Sequence, residues 1–386
     1  MERSRERFFW QNECVEWGMT ERLKVGLVGC GLVAQVMHLN YLRELSDRYE
    51  IAAIADLSPE VLDAVGAEYG VARRFAKWQD LIAEPIDAVI VLTPGSHAPI
   101  AIAAAKEGKH VLVEKPMCFS VAEGHAMIEA SRKSKKTLMV AYNKRYDPAY
   151  LRFVEEAKRM PDPRLLRVTT LESPISPYVH QYRLFRGGPL PDDVLRDLKD
   201  DDEKRLTEAL GDADELSRWG YRYVLLDSLV HEFSAMRGAL GEPDRLDFAD
   251  IRKSGLTTVL TFGDIQCVFA WIDLPVIARY EMEFALYSPT RRVTLSFPSP
   301  FLRSMPTLLI TEEGDETTPR ASRKEEVTSY QESFKEELVH FHECVTTGRE
   351  PRTSGVEALH DIALCEAVVK GHRARQGVAR PSETAL

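Results

Sequence analysis

Two short segments of this chain carry side chains that can move protons. The segment "HVLVEKP" (residues 110–116) begins as an apolar run rich in β-branched residues, which predicts a buried strand. It ends in Glu114, Lys115 and Pro116, and a strand interior does not take two opposite charges followed by a residue without an N–H donor. The strand must therefore stop there, either at solvent or at a functional site.

The second segment is "VLLDSLVHEF", in which Asp227 and His231 are four residues apart. If this segment is helical, both side chains lie on the same face, one turn from each other. Taken alone, such a pair is commonly a surface ion pair, so the spacing by itself does not predict a site.

Lysine, aspartate and histidine together suit the oxidation of a hydroxyl group. A hydride leaves a carbinol carbon only as the hydroxyl proton is removed, because a protonated carbonyl would otherwise form. A histidine that titrates near neutrality can accept that proton. A lysine ammonium can stabilise the developing alkoxide or relay the proton, and the aspartate can orient the histidine or hydrogen-bond the substrate. The sequence leaves open whether Lys115 or His231 takes the proton first.

The composition is that of a globular protein with two domains. The chain has 386 residues, of which 44% are hydrophobic and 28% are charged, and this length exceeds what one ordinary core serves. The net charge of −10 argues against nucleic acid as a partner. No apolar run approaches the ~18 residues of a membrane helix, so no membrane partner is expected.

The cysteines and the N-terminus bear on the location of the protein. Six cysteines are scattered without a CxxC pair, and a chain of this size needs no disulfides, so reduced thiols and a cytoplasmic location are expected. No metal site is predicted, because the histidines at 340, 342 and 360 are not on a common helix face. Residues 1–20 lack the apolar core of a secretory signal and are treated as an N-terminal extension.

Strands and helices are expected to alternate over residues 21–145. Continuous apolar runs, which are typical of parallel strands covered on both faces, occur at 23–29, 49–56, 86–94, 110–116 and 137–143. Stretches with a helical pattern lie between them, at 33–45, 59–69, 98–107 and 121–134. This alternation predicts βαβ units and a doubly wound parallel sheet, which is a Rossmann domain.

A glycine-rich turn follows the first of these strands. Gly29 permits the tight turn, Gly31 lets a pyrophosphate approach the backbone, and Ala34 lets the helix pack closely on the strand. Leu32 and Val33 begin the helix, whose unpaired N–H groups and positive dipole end attract phosphates. Because strand, turn and helix occur together, the pattern predicts dinucleotide binding.

The second strand ends in Asp56, a little further from Gly29 than the usual spacing of about 20 residues. Its carboxylate can accept hydrogen bonds from both ribose hydroxyls, whereas it would repel a 2′-phosphate. The alternative is a turn residue beside the start of the next helix, since Ser58 and Pro59 follow. We predict ribose binding, and therefore NAD rather than NADP as the cofactor.

Residues 146–386 are expected to form an α+β domain. A helix at 149–160 leads into the strand "LLRVTTLE", which a polar stretch at 174–218 follows. The charge run "DDVLRDLKDDDEKRLTEALGDADELSRWG" is interpreted as a solvated helical excursion from this polar stretch. Within the polar stretch, "YVHQYRLFRGG" is equally compatible with a pocket lining and a surface loop. Five later apolar runs follow one another without helices between them, which predicts an open, mostly antiparallel sheet. Helices at 330–346 and 356–375 close the chain and are expected to pack back on the Rossmann domain.

Ligands of an open parallel sheet collect at the carboxyl ends of its strands. The strand ends predicted to meet near the nicotinamide are Thr93-Pro94, Glu114-Lys115-Pro116 and Asn143. The charges that end the strand at 110–116 thus appear where the chain leaves the core and enters a cleft.

The chain resembles the Gfo/Idh/MocA family of dehydrogenases, which act mostly on sugars and cyclitols. The matching motifs are "GCGLVA", "TPGSHAPIAIAAAKEGKHVLVEKPM", "NKRYDP" and "LLDSLVH", and with the domain order they cover residues 22–376. The resemblance implies a peptide bond before Pro116 that is often cis, and Lys115 beside the reacting hydroxyl. It also implies cofactor contacts by Thr93, Pro94, His97, Glu114, Lys115, Pro116, Asn143 and Arg145.

The resemblance also gives the pair Asp227 and His231 a role. Family members carry a D-x-G-x-H segment that faces the cofactor, and this chain keeps its aspartate and histidine. Leu229 stands where the family has glycine, and "WGYRYV" replaces the glycine run that precedes the motif. These departures lie beside the substrate, so the resemblance does not specify which substrate is bound.

Together these features predict an NAD-dependent oxidoreductase acting on a secondary hydroxyl, or the matching ketone, of a sugar, sugar derivative or cyclitol. An NAD-dependent glycosidase that oxidises its substrate transiently is one alternative, and a non-catalytic dinucleotide-sensing regulator is another. Lys115, Asp227 and His231 argue against the regulator, since sensing needs none of them. Family members generally pair through the second-domain sheet, so a homodimer or homotetramer is expected.

Overall fold

The computed structural model describes residues 22–315 and 317–376. The predicted N-terminal extension and Cys14 lie outside the described residues. The first domain is a six-stranded parallel sheet with the strand order β3-β2-β1-β4-β5-β6, which confirms the Rossmann prediction. Its strands are β1 (Leu23–Val28), β2 (Tyr49–Ala55), β3 (Arg73–Phe75), β4 (Ala88–Val91), β5 (His110–Glu114) and β6 (Leu138–Ala141).

Helices cover both faces of this sheet, which is why its strands are apolar on both alternations. A π-helical turn at Ala34–His38 continues into α1 (Leu39–Glu44). The others are α2 (Pro59–Tyr69), α3 (Trp78–Ile82), α4 (Ala98–Lys106) and α5 (Val121–Ser134). The short strand β3, with the sequence "RRF", was not predicted because only Phe75 in it is apolar.

A 3₁₀ turn, Asn143–Tyr146, carries the chain from the first domain into the second. It leads to α6 (Pro148–Arg159), which Asp147 caps by accepting hydrogen bonds from the N–H groups of Ala149 and Tyr150. After one strand come α7 (Ser176–Val179), α8 (Asp192–Leu210), α9 (Glu215–Trp219), a π-helix at Gly220–Leu229 and α10 (Val230–Leu240).

The second domain is built on an eight-stranded sheet, in the order β14-β13-β12-β11-β7-β10-β9-β8. The strands are β7 (Leu165–Glu172), β8 (Arg245–Arg252), β9 (Gly255–Phe262), β10 (Ile265–Asp273), β11 (Glu281–Tyr287), β12 (Arg291–Phe297), β13 (Leu308–Gly314) and β14 (Ala321–Val327). The predicted mostly antiparallel sheet is confirmed, with one parallel pair, β7 and β10, at its centre.

The inner face of this sheet packs on helices of its own domain. Phe269 of β10 packs against Phe233 of α10 with ring centroids 4.9 Å apart, and Phe284 of β11 packs against Phe153 of α6 at 6.3 Å. Buried aromatic pairs in such tilted and edge arrangements stabilise a core beyond their area alone.

The last two helices, α11 (Ser333–Thr347) and α12 (Gly355–Gln376), pack on the first domain. Tyr49 donates its hydroxyl to the main-chain oxygen of Leu338 at 2.6 Å. Between the two helices, Thr353 accepts from the N–H of Val140 at 2.9 Å, which extends the edge of the first sheet. In the described part of the chain, no helix has the length and apolar character needed to cross a bilayer.

Candidate active site

The glycine turn after β1 has the space that a dinucleotide needs. A Cβ atom on Gly29, where φ is 95°, would lie 2.9 Å from the main chain of Leu92, so only glycine fits. A Cβ atom on Gly31 would meet nothing within 4 Å, which leaves its backbone open to a ligand. Ala34 is buried where the helix meets the sheet. The turn therefore fits the pyrophosphate of a dinucleotide.

Asp56 has the turn role that the sequence offered as the alternative, and its predicted contact with the ribose stays a prediction. One carboxylate oxygen accepts from the N–H of Cys30 at 2.7 Å, and the other accepts from the N–H of Ser58 at 2.9 Å. Ser58 then caps α2 by accepting from Val61. Asp56 is half-buried, and each carboxylate oxygen has a second lone pair for a ribose hydroxyl.

His97 joins the ends of β4 and β5. Its Nδ1 lies 2.7 Å from the main-chain oxygen of Pro116, and its Nε2 lies 2.7 Å from that of Thr93. The ring is buried, and burial lowers its pKa. The neutral ring has one N–H and can donate to only one of these two carbonyl oxygens. His97 therefore packs between Thr93 and Pro116, and its predicted direct contact with the cofactor stays a prediction. Pro94 at the same end is exposed.

Glu114 is buried at the end of β5 and bonded on both oxygens. His38 lies 2.8 Å from Oε1, and the N–H of Lys115 donates to Oε2 at 3.1 Å. Burial alone would raise the pKa of Glu114, but the contact with His38 and the charge of Lys115 hold it below its usual value. An ionised Glu114 thus anchors the backbone from which the Lys115 side chain departs.

Lys115 reaches across the domain boundary to Asp227. Its Nζ donates to the main-chain oxygen of Asp227 at 2.5 Å and to Oδ1 at 3.1 Å. The peptide bond between Lys115 and Pro116 is cis, as the family resemblance implies. Asp227 lies on the π-helix of the second domain and is exposed, whereas Lys115 is half-buried. The structure thus brings together two of the three predicted catalytic residues.

His231 lies at the start of α10, half-buried against the ring of Tyr142 at a centroid distance of 6.1 Å. Its buried Nδ1 has no hydrogen-bond partner among the described residues. Burial, together with the charges of Lys144 and Lys115, holds the pKa of His231 well below its usual value. From the sequence we expected a histidine that gains or loses its proton near pH 7. The lowered pKa of His231 instead keeps its imidazole uncharged at neutral pH.

A buried pair of opposite charges beside His231 was missed in the sequence. Lys144 donates to the hydroxyl of Tyr280 at 3.1 Å, and Glu232 accepts from Thr170 at 2.6 Å. The second carboxylate oxygen of Glu232 has no hydrogen-bond partner in the part of the chain that the structure describes. Burial lowers the pKa of Lys144 and raises that of Glu232, and each charge opposes the shift of the other. Their place in the sequence could have pointed to these two residues, because Lys144 follows the predicted site residue Asn143 and Glu232 follows the predicted site residue His231.

The last two predicted contacts are buried near the junction of the domains. Asn143 donates to Ser333 at 3.0 Å. The guanidinium of Arg145 donates to the main-chain oxygen of Ser234 at 2.9 Å and pairs with Glu357 at 3.2 Å. Arg145 therefore ties the 3₁₀ turn to α10 and α12, and a direct contact with the cofactor stays a prediction for both residues.

The comparisons with known proteins agree with this geometry. Residues 23–142 match the Gfo/Idh/MocA model, described as an oxidoreductase family with an NAD-binding Rossmann fold. The first domain of the chain thus matches the Gfo/Idh/MocA family, as the resemblance implied. The protein is an NAD-binding oxidoreductase, as predicted.

Likeness to known dehydrogenases extends over both domains. Myo-inositol 2-dehydrogenase of Thermotoga maritima is 24% identical over 374 residues, covering 92% of this chain and 98% of the relative. Inositol 2-dehydrogenase of Rhizobium meliloti is 24% identical over 353 residues, covering 90% and 96%. The structure of a levoglucosan dehydrogenase in complex with NADH superposes with a TM-score of 0.70 at 19% identity, covering 92% and 98%.

No group of three or more histidine, cysteine, aspartate or glutamate side chains that could hold a metal occurs in the described ranges. His340 and His342 are both buried on α11, where His340 accepts from the N–H of Arg352 at 3.1 Å. Their burial serves packing, and the site described above consists of ordinary acid, base and amide groups.

Proposed function

We propose that this protein is an NAD-dependent dehydrogenase that oxidises a secondary hydroxyl of a sugar, sugar derivative or cyclitol, or reduces the matching ketone. The observation that carries the proposal is the contact between Lys115 and Asp227 beside the neutral imidazole of His231. It lies at the carboxyl ends of β5 and β6, where open α/β sheets bind their ligands. The inositol dehydrogenases similar to this chain support the substrate class.

Lys115 is suited to stabilise charge on the reacting oxygen. An ammonium has three N–H donors, and two directions are taken up by the oxygens of Asp227. The remaining donor has no partner among the described residues, so it can bind the substrate hydroxyl and stabilise it as it becomes an alkoxide. Asp227 thereby fixes the direction of the ammonium and also presents an exposed carboxylate to a polyhydroxylated substrate.

His231 is suited to accept the hydroxyl proton because it is neutral before the reaction. Burial, followed by the positive charges of Lys144 and Lys115, lowers the pKa of His231 and so favours the neutral form. Lys115 remains the alternative first acceptor, but it can accept a proton only as the neutral amine, because an ammonium has no lone pair. Lys144, whose pKa is lowered by burial, is a further group through which the proton can move.

The turn Gly29–Ala34 and Asp56 are the residues that would hold the dinucleotide. When bound, the nicotinamide supplies a hydride acceptor. Thr93 and Pro94 border its expected position, and the buried Glu114 and His97 keep the ends of β4 and β5 in place. The half-buried carboxylate of Asp56 at the end of β2 supports a preference for NAD over NADP.

We also propose that the protein forms a homodimer or homotetramer through the outer face of the second sheet. On this face Val268 lies directly opposite Val259, and Ile272 opposite Leu171. Ile272 is 38% exposed although it is apolar.

Five described cysteines are free and buried, which supports a reducing, cytoplasmic location.

The test is the appearance of NADH when the purified protein and NAD are mixed with single members of a panel of sugars, sugar acids and cyclitols. Net NADH formation from a free sugar or cyclitol would support the dehydrogenase. Release of an aglycone without net NADH would instead identify a glycosidase that oxidises its substrate transiently. NAD binding with neither reaction across the panel would favour the regulator.

A further inference from the structure

Part of the polar segment 174–218 returns from the second domain to the cofactor-binding edge of the first. After α7 the chain runs from residue 182 to residue 191 without regular secondary structure, and then enters α8. We call residues 182–188 the strap. From its sequence, this stretch is equally compatible with a pocket lining and a surface loop.

One contact fixes the strap to the helix that follows the glycine turn. The side-chain amide of Gln35 donates to the main-chain oxygen of Phe185 at 2.9 Å and accepts from its N–H at 2.8 Å. The same amide donates to the main-chain oxygen of Cys30, inside the turn, at 2.8 Å. Gln35 is buried, so these bonds are shielded from water, and the backbone of Phe185 is held in register with the turn.

A second contact places the strap against the end of β2. A Cβ atom on Gly187 would lie 2.0 Å from Oγ of Ser58, so the strap backbone rests directly on this residue. The N–H of Ser58 is bonded to the carboxylate of Asp56 at 2.9 Å. Glycine is the residue that lets one backbone approach another group this closely.

The chain is also fixed on either side of the strap contacts. Tyr182 donates its hydroxyl to the main-chain oxygen of Phe301 at 2.7 Å, in the second domain. Beyond the strap, Arg205 of α8 pairs with Glu123, whose carboxylate also accepts from Ser96 at 3.1 Å in the loop after β4. The segment therefore bridges the cofactor-binding edge from the end of β2 to the end of β4.

We propose that the strap is the outer wall of the adenosine half of the NAD site and slows release of the dinucleotide. In a Rossmann domain the pyrophosphate lies at the start of the helix after the glycine turn, and the acidic residue ending the second strand binds the ribose. The strap is held at both of these places, by Gln35 and by Ser58. The proposal rests on NAD binding by the first domain and is independent of which hydroxyl is oxidised.

Two adjacent glycines give a matched test. Gly187→Ala puts a methyl group into Ser58 and must lift the strap, whereas a Cβ atom on Gly188 would meet nothing within 4 Å. NADH release from the loaded protein is followed by stopped-flow fluorescence after addition of excess NAD. We expect Gly187→Ala to speed release at least about fivefold, the scale of a lost hydrogen bond or two. Gly188→Ala should release NADH at the wild-type rate.

Equal release rates in the wild type and Gly187→Ala would overturn the strap proposal while leaving NAD binding intact. Failure of the wild type to bind NADH would instead overturn the proposed function, and the strap proposal with it.

A second measurement needs no variant. Arg183 and Arg186 are exposed trypsin sites in the strap, and saturating NADH should slow cleavage there but not at the exposed Arg323 of β14. Equal cleavage rates with and without NADH would also contradict the proposal.

Discussion

The ammonium of Lys115 lies 3.1 Å from Oδ1 of Asp227 and 2.5 Å from the main-chain oxygen of the same residue. The two residues belong to different domains, so the direction of the lysine depends on how the second domain sits on the first. This contact accounts for the charged end of β5. The strand stops where its next side chain has a partner across the cleft.

Replacing Lys115 tests its catalytic assignment. We expect Lys115→Ala to lower kcat by ~100-fold or more, the scale for losing an acid–base or charge-stabilising group. NAD affinity, measured by tryptophan fluorescence, should change little because the glycine turn and Asp56 hold the cofactor. Lys115→Arg should not restore kcat, since a guanidinium is bulkier and does not deprotonate.

The control for Lys115→Ala is Lys133→Ala, which removes an exposed lysine from α5 without touching the cleft. A near-normal kcat in Lys115→Ala would make Lys115 a structural residue. Weakened NAD binding with a normal kcat would make it a cofactor ligand.

The pH dependence of kcat/KM at saturating NAD reports on His231. The neutral imidazole is the active form, so activity is lost as the pH falls through its pKa. Because burial and the two lysines lower that pKa, the acid limb assigned to His231 should lie below the ~6.5 of an unperturbed histidine. Lys144→Met removes one of the positive charges and should move the limb to higher pH.

The control variant for this pH profile is Lys136→Met. Lys136 contacts His110 and is remote from His231. An acid limb at or above the ordinary histidine value in the wild type would contradict the neutral, buried imidazole. If the acid limb does not move in Lys144→Met, the charge of Lys144 does not lower the pKa of His231.

Cofactor choice depends on Asp56. Wild-type kcat/KM should favour NAD over NADP by at least about 10-fold, or about 1.4 kcal/mol, because the carboxylate repels a 2′-phosphate. Asp56→Ser should narrow this ratio, while Asp80→Ser, which removes an exposed carboxylate from α3, should leave it unchanged. Equal use of the two cofactors by the wild type would show that Asp56 is only a turn residue.

The outer face of the second sheet predicts assembly. Val268→Lys places a charge in the middle of the expected interface and should convert the oligomer to monomers in light scattering at micromolar concentration. Gln79→Lys adds the same charge on an exposed face of α3 and should leave the mass unchanged. A wild-type monomer would contradict the prediction at once.

Much of the first domain could be read from the sequence because its signals are local. Each buried parallel strand is a continuous apolar run, and the predicted helices at 59–69 and 121–134 coincide with α2 and α5. The glycine turn and the charged end of β5 lie at strand ends, where sequence order and spatial position agree.

The two edge strands of the second sheet were not predicted from the sequence. β8 ("RLDFADIR") and β14 ("ASRKEEV") are the two edge strands of the second sheet, and their charged residues hide the strand pattern. Charged residues at a sheet edge are typical, since they discourage pairing with another chain. A window of sequence cannot separate such a strand from a loop.

The strap and the buried pair of Lys144 and Glu232 escaped for a different reason. Their contacts join residues far apart in the chain, for example Gln35 with Phe185 and Glu232 with Thr170. A charge in the sequence predicts exposure, and only the folded chain shows that these two are enclosed.

The hydrogen bonds between Val140 and Thr353 have a consequence for biosynthesis. β6 is an edge strand of the first sheet, and its outer side bonds to Thr353, a residue made near the end of translation. During synthesis the N-terminal domain therefore waits on the ribosome with an open strand edge and an uncovered surface around Tyr49, whose hydroxyl bonds to Leu338. A nascent chain stalled before residue 330 would be the form most prone to aggregate or to recruit a chaperone.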